Sequence, residues 1–294
     1  MRVLLASIVL LGAAPGGAGA VSLPRSFPHT DVLAFRYRAH DGVARRAWLL
    51  LPSDYDGRPL PLVISPHGRG TSARANASLW GDLPGLGGFA VVSPAGEGRR
   101  LGLYSWGDPG QIDDLARMPA IVRAHGVDVE PHHIYAVGGS MGGQETLLLV
   151  ARHPHLLAGA AVFDASTDMA RRYWDFAALR GGRRLQRLAR IEIGGTPLDD
   201  PAAYASRSPD AYVRQLALSG VPLLFYWSTR DRIISDQVDE TAALVTAIRG
   251  WNPKAPVQVF RGTWQHTAEM RWTRRLPAAL VRLHLLRRSR ATRL

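Results

Sequence analysis

The sequence predicts an α/β fold built on a mostly parallel sheet. Two observations carry this. Short apolar runs of strand length alternate with segments whose apolar positions recur at helical spacing, over most of the 294 residues and without an internal repeat or low-complexity linker. At the start of that alternation, Asp41-Gly42 sits between two strand-like runs. Asp-Gly there marks an antiparallel hairpin, which belongs at one edge of such a sheet.

Residues 1–20, "MRVLLASIVLLGAAPGGAGA", stand apart from the fold. A basic start at Arg2, an apolar run from Val3 to Ala14 and small residues at Ala18 and Ala20 are the layout of a cleavable secretory signal. The run is too short to span a bilayer comfortably. The expectation is a secreted or extracytoplasmic protein with no stable membrane insertion after cleavage, and residues 21–294 as one domain. There is no cysteine, so neither a disulfide nor a cysteine-linked lipid is available.

The elements then follow in order. "VLAFRYRA" (32–39) and "VARRAWLLL" (43–51) form the hairpin. "PLVISPHG" (61–68) and "GFAVVSPAG" (88–96) are buried strands that end in turns. Residues 111–125 read as a helix from Ile112, Leu115, Met118, Ile121 and Val122, with a kink expected at Pro119. "HIYAVGG" is a strand and "SMGGQETLLLVARH" a helix. Further strands fall at 157–166, 221–228 and 256–264, with helices at 236–249 and 272–288. Residues 167–216 interrupt the alternation, either as a cap-like insertion over the functional edge or as a peripheral decoration.

The formal net charge is +12. Such an excess can signal nucleic acid or an anionic polymer. Here Lys254 is the only lysine, so arginine carries the charge as a compositional bias. The clusters Arg183, Arg184, Arg187, Arg190 and Arg282, Arg287, Arg288, Arg290, Arg293 read as solvated helix faces. With no nucleic-acid motif beside them, no nucleic-acid partner is expected.

The chemistry concentrates at "AVGGSMGGQET". Gly138-Gly139-Ser140-Met141-Gly142 fits G-x-S-x-G, with a strand before it and a helix after it. A nucleophilic serine on a tight strand-to-helix turn needs small residues two positions away on each side, so that strand and helix can approach. Gly138 and Gly142 meet that need. The pattern fits neither a phosphate-binding loop nor a dinucleotide fingerprint.

A serine needs a base, and in this kind of sheet the partners follow in the order Ser, Asp or Glu, His. Asp231 lies just past the strand at 221–228, and His266 just past the next. Asp164 is the second choice for the acid, one strand early together with Asp168; Asp236 and Asp239 read as helix-start residues. His153 and His155 sit near a helix end, and His284 in a basic terminal helix. Two oxyanion donors are expected. One is the backbone N–H of Met141 at the helix start; the other is that of Arg69, with Gly68 next, in "SPHGRG". The His67 side chain reads as a brace for that loop. Tyr104 and Trp106 are candidates to line the substrate pocket, or else simple core aromatics. His132-His133 and His153-Pro154-His155 lack a third ligand, so no metal site and no cofactor is expected.

At this point the chain resembles an α/β-hydrolase, and more narrowly the catalytic domain of the prolyl oligopeptidase family and its dienelactone-hydrolase-like esterase relatives. The likeness runs from about residue 45 to 270. "GVDVEPHHIYAVGGSMGG" is similar to that family's approach to its nucleophile. "GGTPLDDPAAYASRSPDAYVRQLALSGVPLLFYWSTRDRII" is similar to its approach to the acid. The resemblance places the family's triad on Ser140, Asp231 and His266. The family's larger peptidases carry a further propeller domain, for which this chain has no room. A small ester is therefore the expected substrate, cleaved through an acyl-enzyme. A short peptide is the first rival, and a non-catalytic binding role on a hydrolase scaffold the second.

Overall fold

The structure, a computed structural model, describes residues 21–22, 27–96 and 102–291. The expected secretory signal at 1–20 lies outside them. The strands are β1 (Val21–Ser22), β2 (Thr30–Arg38), β3 (Ala44–Pro52), β4 (Leu60–Ile64), β5 (Ala90–Pro94), β6 (Val129–Gly139), β7 (Gly159–Phe163), β8 (Leu223–Ser228) and β9 (Val257–Gly262). They form a single sheet in the order β1-β2-β3-β5-β4-β6-β7-β8-β9. β1, β2, β3 and β5 pair antiparallel, and every pair from β5 through β9 is parallel. The Asp41-Gly42 turn closes β2 on β3 with Gly42 at φ 80°, a backbone setting that glycine adopts without a Cβ penalty.

Helices cover both faces because the parallel strands alternate their side chains with period two. Leu62, Ile64 and Ala136 point to one face. There they pack on α3 (Pro109–Ala124), α4 (Met141–Arg152), α8 (Val213–Leu218) and α9 (Ala243–Trp251). Val63, Tyr135 and Val137 point to the other, against α1 (Ala73–Ser78), α2 (Leu83–Gly87) and α10 (Leu276–Arg282). α3 runs through Pro119 as one helix; the Asp108 carboxylate caps its start. α4 is buried along nearly its whole length, so its start is held by packing on every side.

Two expected helices come out differently. The segment 236–249 opens with a π-helical turn, Val238–Ala242, before α9. The segment 272–288 divides into α10 and α11 (Arg288–Ala291), because Pro277 fixes the start of α10 and His284 takes φ 61° past its end. The arginines of both expected clusters that fall among the described residues are exposed, as solvated faces require. No helix among the described residues is long and apolar enough to cross a membrane.

Residues 167–216 contain α5 (Met169–Asp175), α6 (Gly182–Ile193), α7 (Pro201–Ala205) and the start of α8. Met169, Tyr173, Phe176, Ala189, Ile193 and Tyr204 form a third apolar cluster, and its remaining members are Trp106 and Met141. The insertion therefore packs directly onto the start of α4.

Candidate active site

The six parallel strands β5, β4, β6, β7, β8 and β9 run the same way, so their carboxyl ends open on one edge. Ligands in open α/β sheets collect at that edge. Ser140 follows β6, Asp164 follows β7, Asp231 follows β8, His266 follows β9, and residues 66–69 follow β4.

Ser140 has φ 56° and ψ −123°, and its side chain caps nothing at the helix it precedes. A non-glycine residue held in this sparsely populated region stores strain, which persists only where the surroundings impose it. Here they do. A Cβ on Gly138 would come within 2.2 Å of Gly142 O, and one on Gly142 within 2.2 Å of Pro66 O. Both glycines are steric necessities, as expected, and the second is required by the loop after β4. That loop crosses close over the serine: a Cβ on Gly68 would stand 3.9 Å from Ser140 Cβ.

The loop is braced from two directions. His67 is buried; its Nε2 accepts from Gly96 N at 2.7 Å, which leaves Nδ1 to donate to Gly68 O at 2.9 Å. Burial pushes its pKa down, which suits this neutral tautomer. Beneath the loop, Ser65 Oγ accepts from both Asn76 Nδ2 and Trp80 Nε1. The backbone N–H of Met141 lies at the first position of α4, where an orphan donor and the helix dipole favour developing negative charge.

His266 Nδ1 hydrogen-bonds Asp231 Oδ2 at 2.7 Å. The other Asp231 oxygen accepts from the backbone N–H groups of Ile233 and Ile234 at 2.8 and 2.9 Å. Gln237 Nε2 adds a bond to Oδ2 at 3.3 Å, its amide oriented by Thr241 at 2.6 Å. Burial pushes the Asp231 carboxyl up. The hydrogen bond and charge of His266 and the two N–H groups outweigh it, and its pKa ends below the usual value.

Asp164, the second choice for the acid, does something else. It does not bond His266. Its Oδ1 accepts from Ser228 N at 3.0 Å; its Oδ2 accepts from Trp264 Nε1 at 2.9 Å and Thr267 N at 2.8 Å. It thus ties the His266 loop to the ends of β7 and β8. Burial and the neighbouring Asp231 charge push its pKa up to about 6, against the pull of those N–H donors. One ligand atom from each of Asp164, Asp231 and His266 lies within 4.8 Å of the others. The carboxylate oxygens are already committed to N–H donors that a cation would have to displace.

The remaining acids near the site are structural. Asp236 and Asp239 pair with Arg171 of α5 at 2.8 and 3.1 Å, fastening the insertion to the segment after Asp231. His153 lies 3.4 Å from Asp113, while His155 and His284 are exposed. Trp106 is buried at φ 44°, lines the crevice beside Ser140, and donates its backbone N–H to Met141 Sδ at 3.3 Å. Tyr104 stands one ring behind it, at 5.4 Å between centroids.

Several site residues are not legible from sequence patterns. Ser166, Arg172, Phe176 and Ile234 line the same crevice, beside the expected Arg69. Glu145, one turn into α4, is fully buried and takes a hydrogen bond from Ser105 Oγ. Burial pushes its pKa up to about 7 despite that bond. Its unfolded value is near 4.5, so between the two the folded chain holds a proton that the unfolded chain has lost. Stability should therefore fall as pH rises from about 4.5 to about 7 and level off above, by ~3 kcal/mol from this residue. Glu240, also buried and pushed up to about 7, adds a similar slope. Glu145→Gln is expected to remove about half of the combined slope in urea denaturation between pH 5 and pH 8. An unchanged slope would place the proton elsewhere.

A family model described as the prolyl oligopeptidase family matches residues 99–270. Over 138 residues the chain is 33% identical to "Putative esterase NocK" of Nocardia uniformis subsp. tsuyamanensis, covering 44% of this chain and 38% of that one. The chain thus spans well under half the length of that relative. Solved structures with the same fold include the S-formylglutathione hydrolase of Agrobacterium tumefaciens (TM-score 0.64, 13% identity, 91% of this chain and 99% of that one). Another is FphF, a fluorophosphonate-binding serine hydrolase of Staphylococcus aureus (TM-score 0.63, 15% identity, 87% and 99%). Prolyl oligopeptidase B of Galerina marginata matches 81% of this chain with only 33% of its own length (TM-score 0.59, 13% identity). The family match covers more than half of the chain, and the sheet beneath it has the matching architecture: the chain belongs to the prolyl oligopeptidase family and has the α/β-hydrolase fold.

Proposed function

We propose that the protein is a secreted serine hydrolase that cleaves small carboxylic esters with Ser140, His266 and Asp231. The observation that carries this reading is the His266–Asp231 hydrogen bond of 2.7 Å at the sheet edge where Ser140 sits on its strained turn.

His266 Nε2, the ring nitrogen left free by Asp231, takes the proton of Ser140 Oγ as that oxygen bonds the ester carbonyl carbon. Negative charge moves to the carbonyl oxygen, where the N–H groups of Met141 and Arg69 receive it. As the intermediate collapses, the bond to the alcohol oxygen breaks and His266 returns the proton to that oxygen. Water then attacks the acyl-enzyme with His266 again as base, releasing the acid and restoring Ser140. Asp231 holds the ring with its proton on Nδ1 and stabilises the transient cation. The packing of residues 167–216 on Met141 and Trp106 supports a cap-like role for that segment. The layout of residues 1–20 supports export.

The family match to peptidases favours a second reading, cleavage of short peptides. A panel of 4-nitrophenyl esters beside aminoacyl 4-nitroanilides, with fluorophosphonate labelling of Ser140, tests both. Faster ester turnover with labelled Ser140 is expected. Dominant amide cleavage would transfer the assignment to a peptidase, and a folded protein that neither labels nor turns over would favour a non-catalytic binding role.

A further inference from the structure

The crevice beside Ser140 has an unusual charge balance. Two arginines line it, Arg69 from the loop after β4 and Arg172 from α5, and among the described residues no acidic one does. Both guanidiniums rest on the ring of Phe176, at 5.5 and 5.0 Å from its centroid. Arg172 has partners: it donates to Ile233 O and lies 4.0 Å from Asp175. Among the described residues no carboxylate forms an ion pair or hydrogen bond with Arg69. Burial, and next the charge of Arg172, hold Arg69 below its ordinary pKa, yet a guanidinium remains charged at any working pH. A half-buried, unpaired cation beside a like charge is costly unless an anion joins it.

A second observation points the same way. Ser166 is buried, its Oγ has no hydrogen-bond partner, and it lines this crevice. A hydroxyl can donate to an anion. Gln144 Oε1, the other unpartnered atom of the lining, is an acceptor and plays no part in holding one.

The position tells which half of an ester would enter. The leaving alcohol must receive its proton from His266, so it departs on that side. The crevice is lined by Ser140, Met141 and Arg69 but not by His266, which places it on the acyl side. It is narrow: about 10 Å³ is open to the centre of a water molecule, so its floor takes one small polar group while the chain that carries it lies in the mouth, and a long acyl group does not fit.

The geometry points to a carboxylate-binding acyl subsite made by Arg69, Arg172 and Ser166, so that the preferred substrates are esters of short dicarboxylic acids with the second carboxylate free. This rests on the serine-hydrolase reading above. Arginine suits the role because its planar fork matches a carboxylate.

The test compares 4-nitrophenyl hemiglutarate with 4-nitrophenyl valerate, which have equal chain length and differ in the terminal carboxylate, each corrected for spontaneous hydrolysis. The hemiglutarate should be preferred in kcat/KM by about 10- to 100-fold, the range of a charge-assisted hydrogen bond. Arg69→Met should erase most of that preference and Arg69→Lys should retain part of it. The ratio is the readout because disturbance of the oxyanion loop would lower both rates together. Glutarate binding to Ser140→Ala, followed by calorimetry and lost in an Arg69→Met/Ser140→Ala double variant, reads the subsite without turnover. Equal or better cleavage of the valerate, or an Arg69→Met variant that lowers both esters in proportion, would overturn the subsite and leave the hydrolase reading standing. Failure of both esters and of fluorophosphonate labelling, with glutarate still bound through Arg69, would overturn the hydrolase reading alone. Absence of glutarate binding would count against the subsite in either case.

Discussion

Ser140→Ala is expected to lower kcat for a 4-nitrophenyl ester by about a million-fold, the order seen when a triad nucleophile is removed from a serine hydrolase. The chain should still fold. The Ser140 side chain caps nothing at the start of α4, and its strain is in the backbone, which alanine must accept equally. The main-chain bonds of the turn, Ser140 N to Phe163 O at 2.9 Å and Gln144 N to Ser140 O at 3.0 Å, do not involve the hydroxyl. The urea midpoint should therefore stay close to that of the parent while turnover falls to a residue over water supplied by the Met141 and Arg69 N–H groups and by binding. Steady-state kinetics on both proteins, with a denaturation curve for each, decides it. A variant that keeps more than a hundredth of the parental rate would rule out Ser140 as the nucleophile.

That serine was legible because the constraints on it are short-range. Gly138 and Gly142 are demanded by contacts within five residues and by one neighbouring loop, and the strand and helix that flank them carry their own periodicity. The order of Asp231 and His266 along the chain was legible for a related reason: a parallel sheet delivers every strand end to one edge, so position after a strand already encodes position in the site. Sequence ranked Asp231 above Asp164 on strand position alone and could not show what Asp164 does. Both follow strands, and both come to within a few ångströms of His266. The difference lies in which oxygen meets which donor. Still less visible were Arg172, Ser166 and Phe176 as neighbours of Ser140. Their meeting depends on how residues 167–216 fold back over α4, and that rests on an apolar cluster assembled from Trp106, Met141 and Tyr204, which lie far apart in sequence. Glu145 carries no signal at all, since a glutamate in a helix is ordinarily a surface residue.

The two carboxylates separate cleanly by experiment. Asp231→Asn should cost about ten-thousand-fold in kcat with a modest change in stability. The reason lies in its donors. Asp231 Oδ1 accepts two backbone N–H groups, so an asparagine must keep its carbonyl oxygen there and turn its amide toward His266. Nδ1 then has to accept, the ring proton moves to Nε2, and the nitrogen that should take the proton of Ser140 is already occupied. Asp164→Asn should behave in the opposite way. Both of its oxygens face N–H donors, from Ser228 on one side and from Trp264 and Thr267 on the other. An amide placed there must set N–H against N–H, at a cost of about 1–3 kcal/mol for a buried donor left unmatched. The urea midpoint should drop, and the rate should suffer only as far as the His266 loop loosens, well short of the Asp231 effect. Measuring kcat and the unfolding midpoint of both variants under one set of conditions gives the decision. If Asp164→Asn proves the slower enzyme and Asp231→Asn the less stable protein, the acid of the triad is Asp164, and the bond between Asp231 and His266 is a brace.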